Sequence, residues 1–102
     1  MSELSNSERP PSVVAGVTWY SPDEWSIIPD HVADPETFDY PYQEWLNNAE
    51  KTVERLQDAK TRVYRIPFRI DDFLVWCRQK NKQPNSEARS EYTHAETKRI
   101  HG

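Results

Sequence analysis

The sequence predicts a small α/β domain: a two-stranded parallel sheet packed by one long amphipathic helix and several shorter ones, in the order β-α-α-β-α-α. Three observations predict it. Two short β-rich segments, near residues 13–19 and 61–68, are separated by more than forty residues. Between them runs the clearest helical periodicity of the chain. Two strands joined through a helix form a right-handed parallel crossover.

The first strand is Val13-Val14-Ala15-Gly16-Val17-Thr18-Trp19, apolar and rich in β-branched residues. Ser21-Pro22-Asp23-Glu24 then starts a short helix. Ser21 can cap it, proline suits the first helical position, and Glu24 can complete a capping box. Pro29 stops it early, with Trp25 and Ile28 facing inward. Asp34-Pro35-Glu36 opens one further turn, with Asp34 as its cap, and Tyr40-Pro41 breaks it. From Tyr42 to Ala59, apolar residues fall at 42, 45, 46, 49, 53 and 56, one stripe on a 3.6-residue period. The outer face carries the like-charge pairs Glu50/Glu54, Lys51/Arg55 and Glu54/Asp58, so packing rather than local electrostatics must hold this helix.

From Thr61 to Phe68 the residues alternate, with Tyr64, Ile66 and Phe68 on one parity and Val63 and Arg65 on the other. Asp71-Asp72 opens the next helix, where acids complement the positive end of the helix dipole. Its inner face is Ile70, Phe73, Leu74 and Cys77, and it ends near Asn81. A last helix runs from Ser86 to about Thr93. The domain therefore spans residues 13 to 95, between a flexible N-terminal segment, 1 to 12, and a flexible C-terminal tail, 96 to 102.

The 102 residues amount to one small domain. Apolar residues are only 35%, but four Trp, five Tyr and three Phe supply burial enough for a folded core. No apolar run approaches the ~18 residues of a membrane span. The polar start, with Glu3 and Glu8, lacks the pattern of a secretory signal. One cysteine excludes an internal disulfide framework, and a cytoplasmic setting follows.

Some of these residues carry a resemblance: Trp19 with Ser21-Pro22-Asp23-Glu24-Trp25, Tyr42-Gln43-Glu44-Trp45 with Ala49-Glu50, Phe73-Leu74-Val75-Trp76-Cys77, and Ala88-Arg89 with Tyr92. The pattern resembles a family of small uncharacterised bacterial proteins of about this length. It covers residues 13 to 95 and implies a bacterial, single-domain α/β protein. The family has no assigned activity, so the resemblance transfers no site.

Charge is the most informative functional feature. Residues 21–58 hold ten acids and two bases, a net −8, and residues 59–102 hold ten bases and five acids, a net +5. Such asymmetry speaks about association: the halves meet each other, meet separate partners, or are only solvated. No catalytic, cofactor or metal residue is assigned. His31, His94 and His101 lack the spacing of a helical zinc motif, and Cys77 sits on an apolar stripe. With two glycines in the chain, a phosphate-cradling loop is close to excluded. The reading is a non-catalytic protein-interaction or regulatory module acting on an unknown protein partner or on itself as a homodimer. Candidate contact residues are Trp25 and Trp76, because aromatics dominate interface hot spots. Arg62, Arg65 and Arg69 are the candidates for an anionic partner. The alternative is a nucleic-acid-associated regulator using the basic half, and a second is a small-molecule or enzymatic site between helices and sheet.

Overall fold

The computed structural model describes residues 13–101. Strand β1 (Val14–Trp19) leads through Tyr20 into α1 (Pro22–Ile27). Two 3-10 turns, Ile28–Asp30 and Pro35–Phe38, precede the long helix α2 (Tyr42–Asp58). Strand β2 (Arg62–Pro67) follows, then α3 (Ile70–Lys80) and α4 (Ser86–His101). β1 and β2 pair in parallel, from Val14 opposite Arg62 to Trp19 opposite Pro67. The expected N-terminal segment, 1 to 12, lies outside the described residues.

The two faces of the sheet are covered by different helices. Odd-numbered residues of β1 face α2, where Trp19 meets Trp45 edge-on at 5.3 Å. Even-numbered residues face α4: the Thr18 and Thr93 hydroxyls hydrogen-bond, and Tyr64 stacks on His101 at 3.6 Å. Gly16 sits beneath Thr97 so closely that a Cβ there would lie 1.7 Å from Thr97 Oγ1. Glycine permits that contact because it presents no side chain to the helix.

The α2 stripe is as the spacing predicts, with Ala49 and Val53 buried and Tyr42, Trp45, Leu46 and Leu56 half-buried. The core extends beyond it as a chain of aromatic contacts. Tyr20 meets Trp25, Phe38, Trp45 and Phe68 at 5.1–5.5 Å. Phe68 passes the contact on to Phe73 and Tyr92, and both of these touch Trp76. Most of these rings meet edge to face or tilted, the arrangements their quadrupoles favour. Phe73 and Ile28 are fully enclosed.

Three local expectations are corrected. Ser21 caps α1, its hydroxyl accepting from the Glu24 N–H at 3.1 Å. The Glu24 carboxylate, however, does not turn back to form a capping box. It accepts the Ile70 N–H at 2.7 Å and so caps α3 across the molecule, where a carboxylate meets a free N–H and the positive helix end together. Asp34 likewise caps no backbone N–H of its own turn; its carboxylate accepts from Arg89 on both oxygens and from the Thr37 hydroxyl at 3.0 Å. The last helix does not stop near Thr93 but reaches His101, running through most of the segment expected as a tail. Its inward stripe, Ala88, Arg89, Tyr92, Thr93 and Thr97, is buried against the sheet and the aromatic core. Asn81 ends α3 in the left-handed conformation, at φ 58°, a position asparagine tolerates well.

Candidate interaction surface

The backbone of β1 determines which of its polar groups remain available. The Val13 carbonyl accepts the Arg62 N–H and the Trp19 carbonyl accepts the Phe68 N–H, both at 3.0 Å. Backbone groups alternate sides along a strand, so odd-numbered residues of β1 bond to β2. The N–H and C=O groups of Val14, Gly16 and Thr18 point the other way, to an edge that no other strand of the described residues covers. The edge closes at Tyr20, whose carbonyl accepts the Tyr42 phenol at 2.8 Å.

The outer edge of β2 is different. Its outward positions are Val63, Arg65 and Pro67. Pro67 has no N–H to offer and costs no bond to β1, which is why a proline is tolerated in this strand. Arg65 is also an outward backbone position, but its guanidinium lies back over the sheet face, 4.7 Å over the Trp19 ring of β1. Proline is one of the usual means of blunting a strand edge. β1 has none, and Val14-Ala15-Gly16-Val17-Thr18-Trp19 contains no charged residue either.

At the C-terminal end of β1 lies an open cleft of about 210 Å³. Thr18 lines it from β1 and Tyr20 from just beyond, Trp25 from α1, Phe38 from the second 3-10 turn, Trp45 from α2, and Arg89 with its neighbouring serines from α4. It therefore touches both helical layers and β1 but not β2, and lies on the side of the open edge. Beside it, Arg89 forms a parallel two-pronged ion pair with Asp34, at 2.9 and 2.7 Å, with its guanidinium 4.8 Å over the Phe38 ring. Arg89 is only 5% exposed. Hydrogen bonds from Arg89 hold the Asp34 carboxyl below its ordinary value. For Arg89, burial is the largest influence and opposes the charge, but Asp34 and Tyr20 together outweigh it and its pKa is raised. Burial pushes Tyr20 up to about 12, so the cleft wall is neutral there.

The candidates named from sequence scatter over this framework. Trp25 is packed in the core, 7% exposed with its indole N–H donating to the Tyr40 carbonyl at 2.9 Å, and also lines the cleft beside Arg89. Trp76 is half-buried on α3, against Phe73 and Tyr92. Arg62, Arg65 and Arg69 are all exposed but do not form a patch. Arg62 and Arg65 lie on opposite faces of β2 by strand alternation, and Arg69 lies beyond it, at the start of α3. Among the described ion pairs, Asp34–Arg89 alone joins the acidic and basic halves; Lys82–Glu91 and Arg99–Glu96 lie within the basic half.

Sequence reasoning expects an exposed strand edge in so thin a sheet but does not say which strand presents it, and it misses the Arg89 cleft. The edge was legible only in part, as an uncharged strand in a thin sheet, since which face of the backbone is free depends on the pairing register. Cys77 is buried, and burial raises its thiol pKa, which suits a packing role. Among the described residues no cluster of His, Cys, Asp and Glu could hold a metal ion, and no helix is long and apolar enough to cross a membrane. No protein-family model, no curated protein and no solved structure matches the chain.

Proposed function

We propose that this chain is a non-catalytic protein-interaction module of the cytoplasm that contacts its partner through the outer edge of β1. The observation that carries the reading is the difference between the two edges of the sheet. One is blunted by Pro67, and the other presents backbone groups of Val14, Gly16 and Thr18 that pair with no other strand among the described residues, without charge or proline. A row of unpaired donors and acceptors is a template for pairing with another chain. Self-association and capture of a different protein are two forms of this one contact. The nucleic-acid alternative has weaker support, because Arg62, Arg65 and Arg69 do not share a face. The small-molecule alternative rests on a cleft below the roughly 300–1,000 Å³ of typical ligand pockets.

The test is site-specific photo-crosslinking in cells. A photoreactive residue replaces Val13, 58% exposed at the head of β1, or Glu54 on the outer face of α2. The reading expects a discrete adduct from position 13 and none from position 54. Equal labelling from both positions, or none from either, refutes it.

A further inference from the structure

We infer that the occupant of the β1 edge is an extended, uncharged segment of another protein, about five residues long, that places one large apolar side chain in the cleft beside Arg89. The inference rests on the interaction reading above and narrows its partner.

The packing of α4 decides between a bare segment and a second copy. At Gly16, the middle of the free edge, Thr97 brings α4 directly onto β1. Two copies paired β1 to β1 would set their strands about 4.8 Å apart. Each would carry its own α4 over that seam, yet packed helices need about 8–10 Å between axes. The second copy is therefore obstructed by its own helix, whereas a segment that brings no helix is not. Such a segment would lie between the layers of α2 and α4, which continue past the edge to wall the cleft with Trp45 on one side and Ser86 and Ser90 on the other.

Its chemistry follows from what it would meet. The free edge, Val14 to Thr18, is about five residues at ~3.3 Å each. Across it stand Val, Ala, Gly and Thr side chains, so a charge in the incoming strand would find no counter-charge. Beyond Thr18 the strand would pass the cleft, whose volume of about 210 Å³ and wall of Tyr20, Tyr40 and Trp45 suit a single large apolar side chain.

The probe is a phage-displayed library of peptides within the usual ~3–10-residue strand length, panned on the full chain. The best binder is then resynthesised with N-methyl groups on alternate residues. An edge-paired peptide donates from one parity only. Methylation of that parity should weaken binding about tenfold or more, and methylation of the other should leave it within about twofold. In the complex, the Val14, Gly16 and Thr18 amides should gain protection from hydrogen exchange. Val14→Pro removes one outward N–H while leaving every bond to β2 in place, and should weaken binding without lowering Tm. Ser90→Trp, on the exposed mouth of the cleft, should weaken it as well.

Tolerance of both methylation patterns overturns the inference, as does protection that falls on α3 instead of β1. Failure of the library to yield any binder overturns it too. If the chain alone, when concentrated, forms a dimer with these three amides protected, the occupant is a second copy and the inference fails while the edge reading stands. If the crosslink from position 13 is also missing, the edge reading fails with it.

Discussion

Replacing Asp34 by alanine would leave the Arg89 guanidinium without its partner at a site 5% exposed. Removing one member of a buried ion pair costs about 3–5 kcal/mol, because the remaining charge stays desolvated. Asp34 itself keeps 18% of its side chain open, so water can enter and the lower end, about 3 kcal/mol, is expected. For a domain whose total stability is about 5–10 kcal/mol this is a large fraction. Urea unfolding followed by tryptophan fluorescence would report it. With a slope near 1 kcal/mol/M, the midpoint should fall by about 3 M. The double variant Asp34→Ala/Arg89→Met removes the orphaned charge and should recover most of the loss. Its cycle against the single variants gives the coupling directly. Should Asp34→Ala cost less than about 1 kcal/mol, or the double variant be no more stable than the single one, the pair does not join the 3-10 turn to α4 as argued.

Three further outcomes follow from the same packing. Gly16→Ala would drive a Cβ into Thr97, 1.7 Å from its Oγ1 and 2.9 Å from its Cβ; an overpacking cost of about 1–3 kcal/mol is expected, and Thr97→Ala added to it should recover only part of the midpoint, because the residue 97 Cβ stays too close. Ile28→Ala should lower stability by about 2–5 kcal/mol, since Ile28 is fully enclosed, whereas Ile27→Ala beside it, 42% exposed, should cost well under half as much in the same titration. Burial raises Tyr20 and Tyr92 to about 12 from an ordinary 10. The folded state thus holds protons that the unfolded chain gives up. Stability should be intact below pH 10 and fall as pH rises from 10 towards 12. Tyrosinate absorbance during an alkaline titration checks this, and Tyr20→Phe should flatten the fall.

The parts of the fold that announce themselves in sequence are those whose burial is apolar and periodic. α2 is read correctly because Tyr42, Trp45, Leu46, Ala49, Val53 and Leu56 mark one stripe, and β2 because Tyr64, Ile66 and Phe68 alternate. α4 escapes the same reasoning beyond Thr93. Its inner stripe has helical spacing, but Arg89, Thr93 and Thr97 are polar and are satisfied by partners far away in sequence or by the helix backbone. The two acids misassigned as local caps show the same limit. Glu24 and Asp34 stand where helix starts favour acids, yet Glu24 accepts from Ile70, 46 residues away, and Asp34, besides accepting from Thr37 nearby, pairs with Arg89, 55 residues away. Trp25 was ambiguous for a different reason. A six-residue helix cannot cover an indole, and the Tyr20, Phe38, Tyr40 and Trp45 rings that do so come from three other segments.

The parallel pairing of β1 with β2 has a consequence for how the chain folds. Val14 and Arg62 are partners, so 48 residues must be spanned before the first rung of the sheet can form. No hairpin can template it, and the loop-closure entropy falls due before any pairing rewards it. α2 is the local structure able to shorten that span beforehand. Substitutions that weaken α2, such as Val53→Ala, should therefore slow folding. Those at the β1 contact with α4, such as Gly16→Ala, should act mainly by speeding unfolding.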